Sequence, residues 1–113
     1  MSDGWVEVAH TGDIPPGCAA RVEIDDVPIA IFNVEGTYYA LDDTCSHAEA
    51  SLSEGDLDID RCAIECPLHG SSFDLRTGEP LSLPAVEPVR AHRVEATESG
   101  MVRVALADGV AAQ

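Results

Sequence analysis

The chain contains no lysine. Its six basic residues, all arginines, stand against 21 Asp and Glu and leave a formal net charge of −15. Nucleic acid and anionic membrane surfaces would be repelled by that balance, so neither is an expected partner. No run of about 20 apolar residues occurs, which excludes a hydrophobic spanning helix. The N-terminal MSDGWVEVAH has neither the basic nor the apolar region of an export signal, and a cytoplasmic location is expected. Aromatic residues make up only 4%, so Val, Ile, Leu and Ala must supply the core. Also missing are a sustained 3.6-residue apolar period, a Gly-rich nucleotide loop and a carboxylate-containing triad for mononuclear iron. A helical bundle, a nucleotide enzyme and a mononuclear-iron oxygenase are thereby set aside.

What remains reads as short strands in a single domain of 113 residues. Trp5 to Val8 alternates. Ala20 to Ile24 and Pro28 to Asn33 flank the turn dipeptide Asp25-Asp26, and Glu35-Gly36 joins the second of these to Thr37 to Leu41. Leu57 and Ile59 lead into Ala63 to Glu65. Phe73 to Leu75 is closed by Thr77-Gly78, and Pro80, Pro84 and Pro88 punctuate a coil. A last hairpin pairs Val89 to Val94 with Met101 to Leu106, and Ala107 to Gln113 is expected to fray. Periodicity alone specifies an all-β antiparallel sandwich or barrel.

Between the strands lies CSHAEASLSEGDLDIDRCAIECPLH, residues 45–69, which carries two mixed ligand pairs, Cys45-x-His47 and Cys66-x-x-His69. Turn formers surround both: Asp42, Asp43, Thr44 and Ser46 about the first, Pro67 and Gly70 about the second. Four cysteines in a chain without an export signal argue for metal binding over disulfides. Tetrahedral zinc accepts the same donors, but structural zinc sites usually space like with like, whereas here each loop offers one thiolate and one imidazole. Zinc stays the alternative.

The first box CSH, the second box CPLHG and the following SSFDLRTGEPLSLPA resemble the Rieske family, whose binuclear cluster has two cysteines on one iron and two histidines on the other. The resemblance implies a Rieske-type antiparallel β-sandwich over residues 1–113, with an inserted cluster-binding subdomain at about 43–85, and one [2Fe-2S] cluster. Cys45 and Cys66 would bind one iron as thiolates, His47 and His69 the other as neutral imidazoles. Ser71 would donate a hydrogen bond to the cluster, while Phe73 stands where high-potential relatives have a tyrosine. The extra cysteines that staple the two loops in respiratory Rieske proteins are replaced by Ala50 and Leu68.

Cys62 is about 13 Å from Cys66 along an extended strand, too far to share the cluster, and reads as a small buried hydrophobe alternating with Ile64. Cys18 reads as a free thiol, His10 and His92 as surface or strand histidines, and Arg76 as a partner for Asp74 or Glu79. The acids Asp42, Asp43, Glu49, Glu54, Asp56, Asp58, Asp60 and Glu65 read either as a solvated surface or as a docking patch.

The chain is therefore expected to be an electron carrier, not an enzyme by itself, and a monomer. The family resemblance offers two settings. Soluble Rieske ferredoxins pass single electrons from a flavin-dependent reductase to a terminal Rieske oxygenase of a ring-hydroxylating dioxygenase. A similar group, which shares the CSH, SLSEG and LHGSSFDLRTG wording, accompanies Suf-type iron-sulfur assembly proteins. A structural or sensor metal-binding module is the third alternative.

Overall fold

The computed structural model describes residues 4–44, 50–67, 70–81 and 88–106. The candidate ligands Cys45, His47 and His69, together with Glu49, Leu68, Pro84 and the expected fraying tail, lie outside the described residues. Among the described residues nine strands follow in order: β1 Trp5–His10, β2 Ala19–Ile24, β3 Val27–Val34, β4 Thr37–Asp42, β5 Asp56–Asp58, β6 Ala63–Glu65, β7 Ser72–Asp74, β8 Ala91–Ala96 and β9 Met101–Ala105. The helical content described is two 3-10 turns, Thr11–Asp13 and Leu52–Glu54. No helix among the described residues is long and apolar enough to cross a membrane.

Local chemistry sets the hairpins. Asp25 and Asp26 take φ of 52° and 67°, and Glu35 and Gly36 take 53° and 95°. Two consecutive left-handed residues give the two-residue turn whose twist matches that of the flanking strands. Hence Ile24 pairs with Val27 and Val34 with Thr37. The buried Asn33 side chain accepts from Gly36 N at 2.8 Å and donates to the Ile14 carbonyl at 2.7 Å, which fixes the second turn against the loop after β1.

The strands form a six-stranded sheet in the order β1-β9-β8-β4-β3-β2 and a three-stranded sheet β5-β6-β7. At its middle the larger sheet has two registered pairs, Ala40 with His92 and Leu41 with Ala91, next to Asp42 N donating to the Arg90 carbonyl at 2.9 Å. That short seam lets it fold back on itself. Ile29 and Ile31 of β3 thereby share one core with Val102 and Val104 of β9, although two strands separate them in hydrogen-bonding order. In a flat sheet the intervening strands would hold β3 and β9 roughly 14 Å apart.

β3 is buried on both faces. Ala30, Phe32 and Val34 alternate with the isoleucines and enter a second core with Leu41, Leu52, Ile64, Cys66, Phe73, Leu75 and Val89. This explains why residues 27–34 read as a nearly continuous apolar run. The small sheet therefore lies against the face of β3 and β4 that the first core leaves. On the base, the Trp5 ring is flanked by the Arg93 and Arg103 guanidinium groups at 5.2 and 4.7 Å, which ties β1 to β8 and β9.

Candidate metal centre

Both ligand loops are closed at their stems. The first is pinned by an isolated bridge between Thr44 and Ser51 and by Leu52 N donating to the Asp43 carbonyl at 2.7 Å. The second is pinned by Cys66 N donating to the Ser71 carbonyl at 2.7 Å and Gly70 N to the Cys66 carbonyl at 3.1 Å. Gly70 takes φ +76°, a conformation that glycine adopts without strain.

The stems also meet each other. Leu52 and Cys66 belong to one buried cluster, with Ala50 packed against it. Gly55 lies so close to β6 that a Cβ on it would stand 1.9 Å from the Glu65 carbonyl oxygen. The exit of the first loop thus runs alongside the residue that precedes Cys66. The stems of the two loops are held together by backbone contact and a shared core.

Of the predicted site residues, Cys66, Ser71 and Phe73 are described and are brought together. Cys66 is 1% exposed, Ser71 and Phe73 fully buried. Phe73 is registered with Ile64 across β6 and β7, and both enter the same core as Cys66. Glu65 and Ser72 face the other way and line an open cleft of about 450 Å³ with Asp56, Asp58 and Asp60. A buried thiol at the base of a short closed loop, beside the stem of a second loop whose sequence carries Cys45 and His47, suits an iron-sulfur cluster. Among the described residues no group of three or more His, Cys, Asp or Glu converges as a separate metal site.

Among the neighbouring residues Cys62 differs from the expectation, whereas Cys18 and Arg76 agree with theirs. Cys62 does not continue β6 but turns into it with φ +53°, half-buried against the core. A side-chain hydrogen bond with Cys62, then burial, holds the Tyr39 phenol above its ordinary range. Cys18 is a free, exposed thiol. Arg76 takes Asp74 at 3.2 Å, not Glu79.

Asp42 and Asp43 are not free surface acids. Asp43 is 2% exposed. Asp42 accepts from Arg90 Nε at 2.8 Å and pairs with His92 Nε2 at 2.8 Å. Burial pushes the Asp42 carboxyl up, but the bonds from His92 and Arg90 more than offset that and leave it below its usual range. His92 is a strand histidine with a buried ring. The alternating pattern around 91–96 marks His92 as inward-facing, and that signal could have found it.

A Rieske [2Fe-2S] domain model matches residues 4–95. The 3-phenylpropionate/cinnamic acid dioxygenase ferredoxin subunit of Escherichia coli (strain K12) is 50% identical over 82 residues, covering 73% of this chain and 76% of that protein. The ferredoxin of carbazole 1,9a-dioxygenase from Nocardioides aromaticivorans IC177 superposes with a TM-score of 0.88 at 36% identity, over 93% of this chain and 100% of that one. A structure described as a complex of reduced oxygenase and oxidized ferredoxin in carbazole 1,9a-dioxygenase contains a chain 43% identical, with a TM-score of 0.82 over 92% of this chain and 94% of that one. Motif, fold and paired loop stems converge, and the chain belongs to the Rieske [2Fe-2S] family.

Proposed function

We propose that this protein is a one-electron carrier that uses a single Rieske [2Fe-2S] cluster to pass electrons from a flavin-dependent reductase to the terminal oxygenase of a ring-hydroxylating dioxygenase. The observation that carries the proposal is the union of the two closed loop stems on one core with half-identity to a dioxygenase ferredoxin subunit. That relative favours the dioxygenase setting over iron-sulfur assembly. The absence of a substrate-activating constellation in the sequence suits a carrier that performs no chemistry of its own.

Cys45 and Cys66 are the proposed thiolate ligands of one iron, His47 and His69 the imidazole ligands of the other, within a single domain whose cluster-binding part spans about 43–85. Neutral imidazoles leave more positive charge on their iron, which favours the added electron there and raises the potential above that of all-cysteine clusters. Ser71, buried beside Cys66, is the proposed hydroxyl donor to the cluster. A cytoplasmic location is part of the same reading.

Two experiments test it. Cys45→Ser and Cys66→Ser should each abolish the red-brown chromophore while Cys18→Ser and Cys62→Ser keep it; a coloured Cys66→Ser protein overturns the ligand set. With a cognate reductase and oxygenase, the reduced protein should deliver one electron per chain to the oxygenase. Loaded protein that reduces no terminal oxygenase encoded beside it would refute the setting.

A further inference from the structure

We propose that Asp43 is a positioning residue for the metal centre, a buried carboxylate that clamps both ends of the first ligand loop and so sets the geometry at Cys45 and His47. The proposal rests on the ligand reading above. Every polar atom of Asp43 is engaged. Its N donates to the Pro28 carbonyl at 3.0 Å and its carbonyl accepts from Leu52 N at 2.7 Å, so the backbone spans from β3 to the far side of the loop. Oδ1 accepts from Ser53 N at 2.9 Å. Oδ2 accepts from Ser51 Oγ at 2.5 Å and from Arg21 Nε on β2 at 3.2 Å. Ser51 and Ser53 are further linked through their hydroxyls at 2.8 Å.

The side chain is 3% exposed while its Arg21 partner is 47% exposed. A buried carboxyl group is tolerated only where its oxygens are hydrogen-bonded, and both oxygens of Asp43 are. Its acceptors reach residues on the C-terminal side of the loop, Asp43 itself lies on the N-terminal side, and Leu52 between the two donors Ser51 and Ser53 anchors into the core beside Cys66. The carboxylate therefore couples the spacing of the loop ends to the position of the second loop. Removing its charge should loosen the first loop without disturbing the sheets that carry it.

The test compares loaded wild type with Asp43→Asn, which keeps the shape and loses the charge, and Ser51→Ala, which removes one arm of the clamp. Asp74→Asn, which breaks an exposed ion pair of the small sheet, is the control. The readouts are the rate of iron release to a chelator, the g values of the reduced protein by electron paramagnetic resonance, and the reduction potential. Both clamp variants should release iron at least about tenfold faster, the scale expected for a lost hydrogen bond to a buried charge. Their g values should also be displaced, and the control should match wild type in every readout.

Should Asp43→Asn fail to accumulate, Ser51→Ala decides alone. Release rates and g values equal to wild type in the folded clamp variants, or equal changes in the control, would overturn the proposal. A Cys45→Ser protein that kept its cluster would instead refute the ligand reading, so the two failures are distinguishable.

Discussion

Ser71 and Phe73 are the side chains proposed to tune this centre. Both are fully buried, both precede or enter β7, and the Ser71 carbonyl is bonded to Cys66 N. Hydrogen bonds to cluster sulfurs stabilise the added electron and raise the potential. With Ser71 as the proposed single hydroxyl donor, the potential should fall in the lower part of the Rieske range of roughly −150 to +300 mV. Ser71→Ala should lower it further in protein-film voltammetry, and Phe73→Tyr should raise it. The tyrosine variant should also be less stable by about 1 to 3 kcal/mol, because its hydroxyl enters a filled core. An unchanged potential in Ser71→Ala would mean that the hydroxyl does not reach the cluster.

Asp42 carries a second prediction at this scale. Its folded-state carboxyl lies below its usual range, so its contribution is present above the unfolded value and lost as the pH falls through the folded one. Acid unfolding of Asp42→Asn should therefore show a shallower pH dependence than wild type on the acid side. At neutral pH the variant should be less stable by about 1.5 to 3 kcal/mol, the range for a hydrogen bond to a charged group. Urea titrations at several pH values check both statements.

Among the elements, the hairpins were legible because their turn dipeptides and alternation are local. Asp25-Asp26 and Glu35-Gly36 stand where the sequence places them, and β3 was visible as an apolar run. Cys62 was not legible. The left-handed turn before β6 depends on the way Leu75 N binds the Cys62 carbonyl at 2.9 Å, a contact between segments that no local pattern announces. The internal roles of Asp42 and Asp43 were hidden for the same reason, since their partners Arg21, Arg90 and His92 lie on other segments of the chain. The proposed ligand residues, by contrast, sit in short motifs, and singling them out as candidates used no tertiary information.

Gly55 is the element-scale test. Its backbone is extended and within reach of any residue, so the requirement for glycine is space: the Glu65 carbonyl occupies the place of a Cβ. Gly55→Ala should force the exit of the first loop away from β6, lowering stability by about 1 to 3 kcal/mol in thermal unfolding. The loaded variant should also lose iron sooner than wild type. A neutral Gly55→Ala would show that the two stems are not held by this contact.

At the scale of the whole molecule, the arginines are mostly engaged within the fold. Arg21, Arg76, Arg90 and Arg103 each sit on a carboxylate, and Arg93 lies on Trp5. The excess acid is left toward solvent, with Asp56, Asp58, Asp60 and Glu65 around the cleft of the small sheet next to the cluster loops. Such a surface steers a basic partner by long-range attraction, which salt screens. Electron-delivery rates to the oxygenase should fall as ionic strength rises from about 0.01 M to 0.15 M, where the Debye length shrinks from roughly 30 to 8 Å. A rate flat across that range would assign these acids to solubility alone.

The central claim, a cluster with thiolates on one iron and imidazoles on the other, is tested most directly by electron paramagnetic resonance of the protein reduced by one electron and labelled with nitrogen-15 histidine. The expected result is about two irons and two sulfides per chain, no signal before reduction, and afterwards an average g below the free-electron value with hyperfine coupling to two histidine nitrogens. A reduced signal without nitrogen coupling, or stoichiometric zinc with no iron after anaerobic reconstitution, would contradict it.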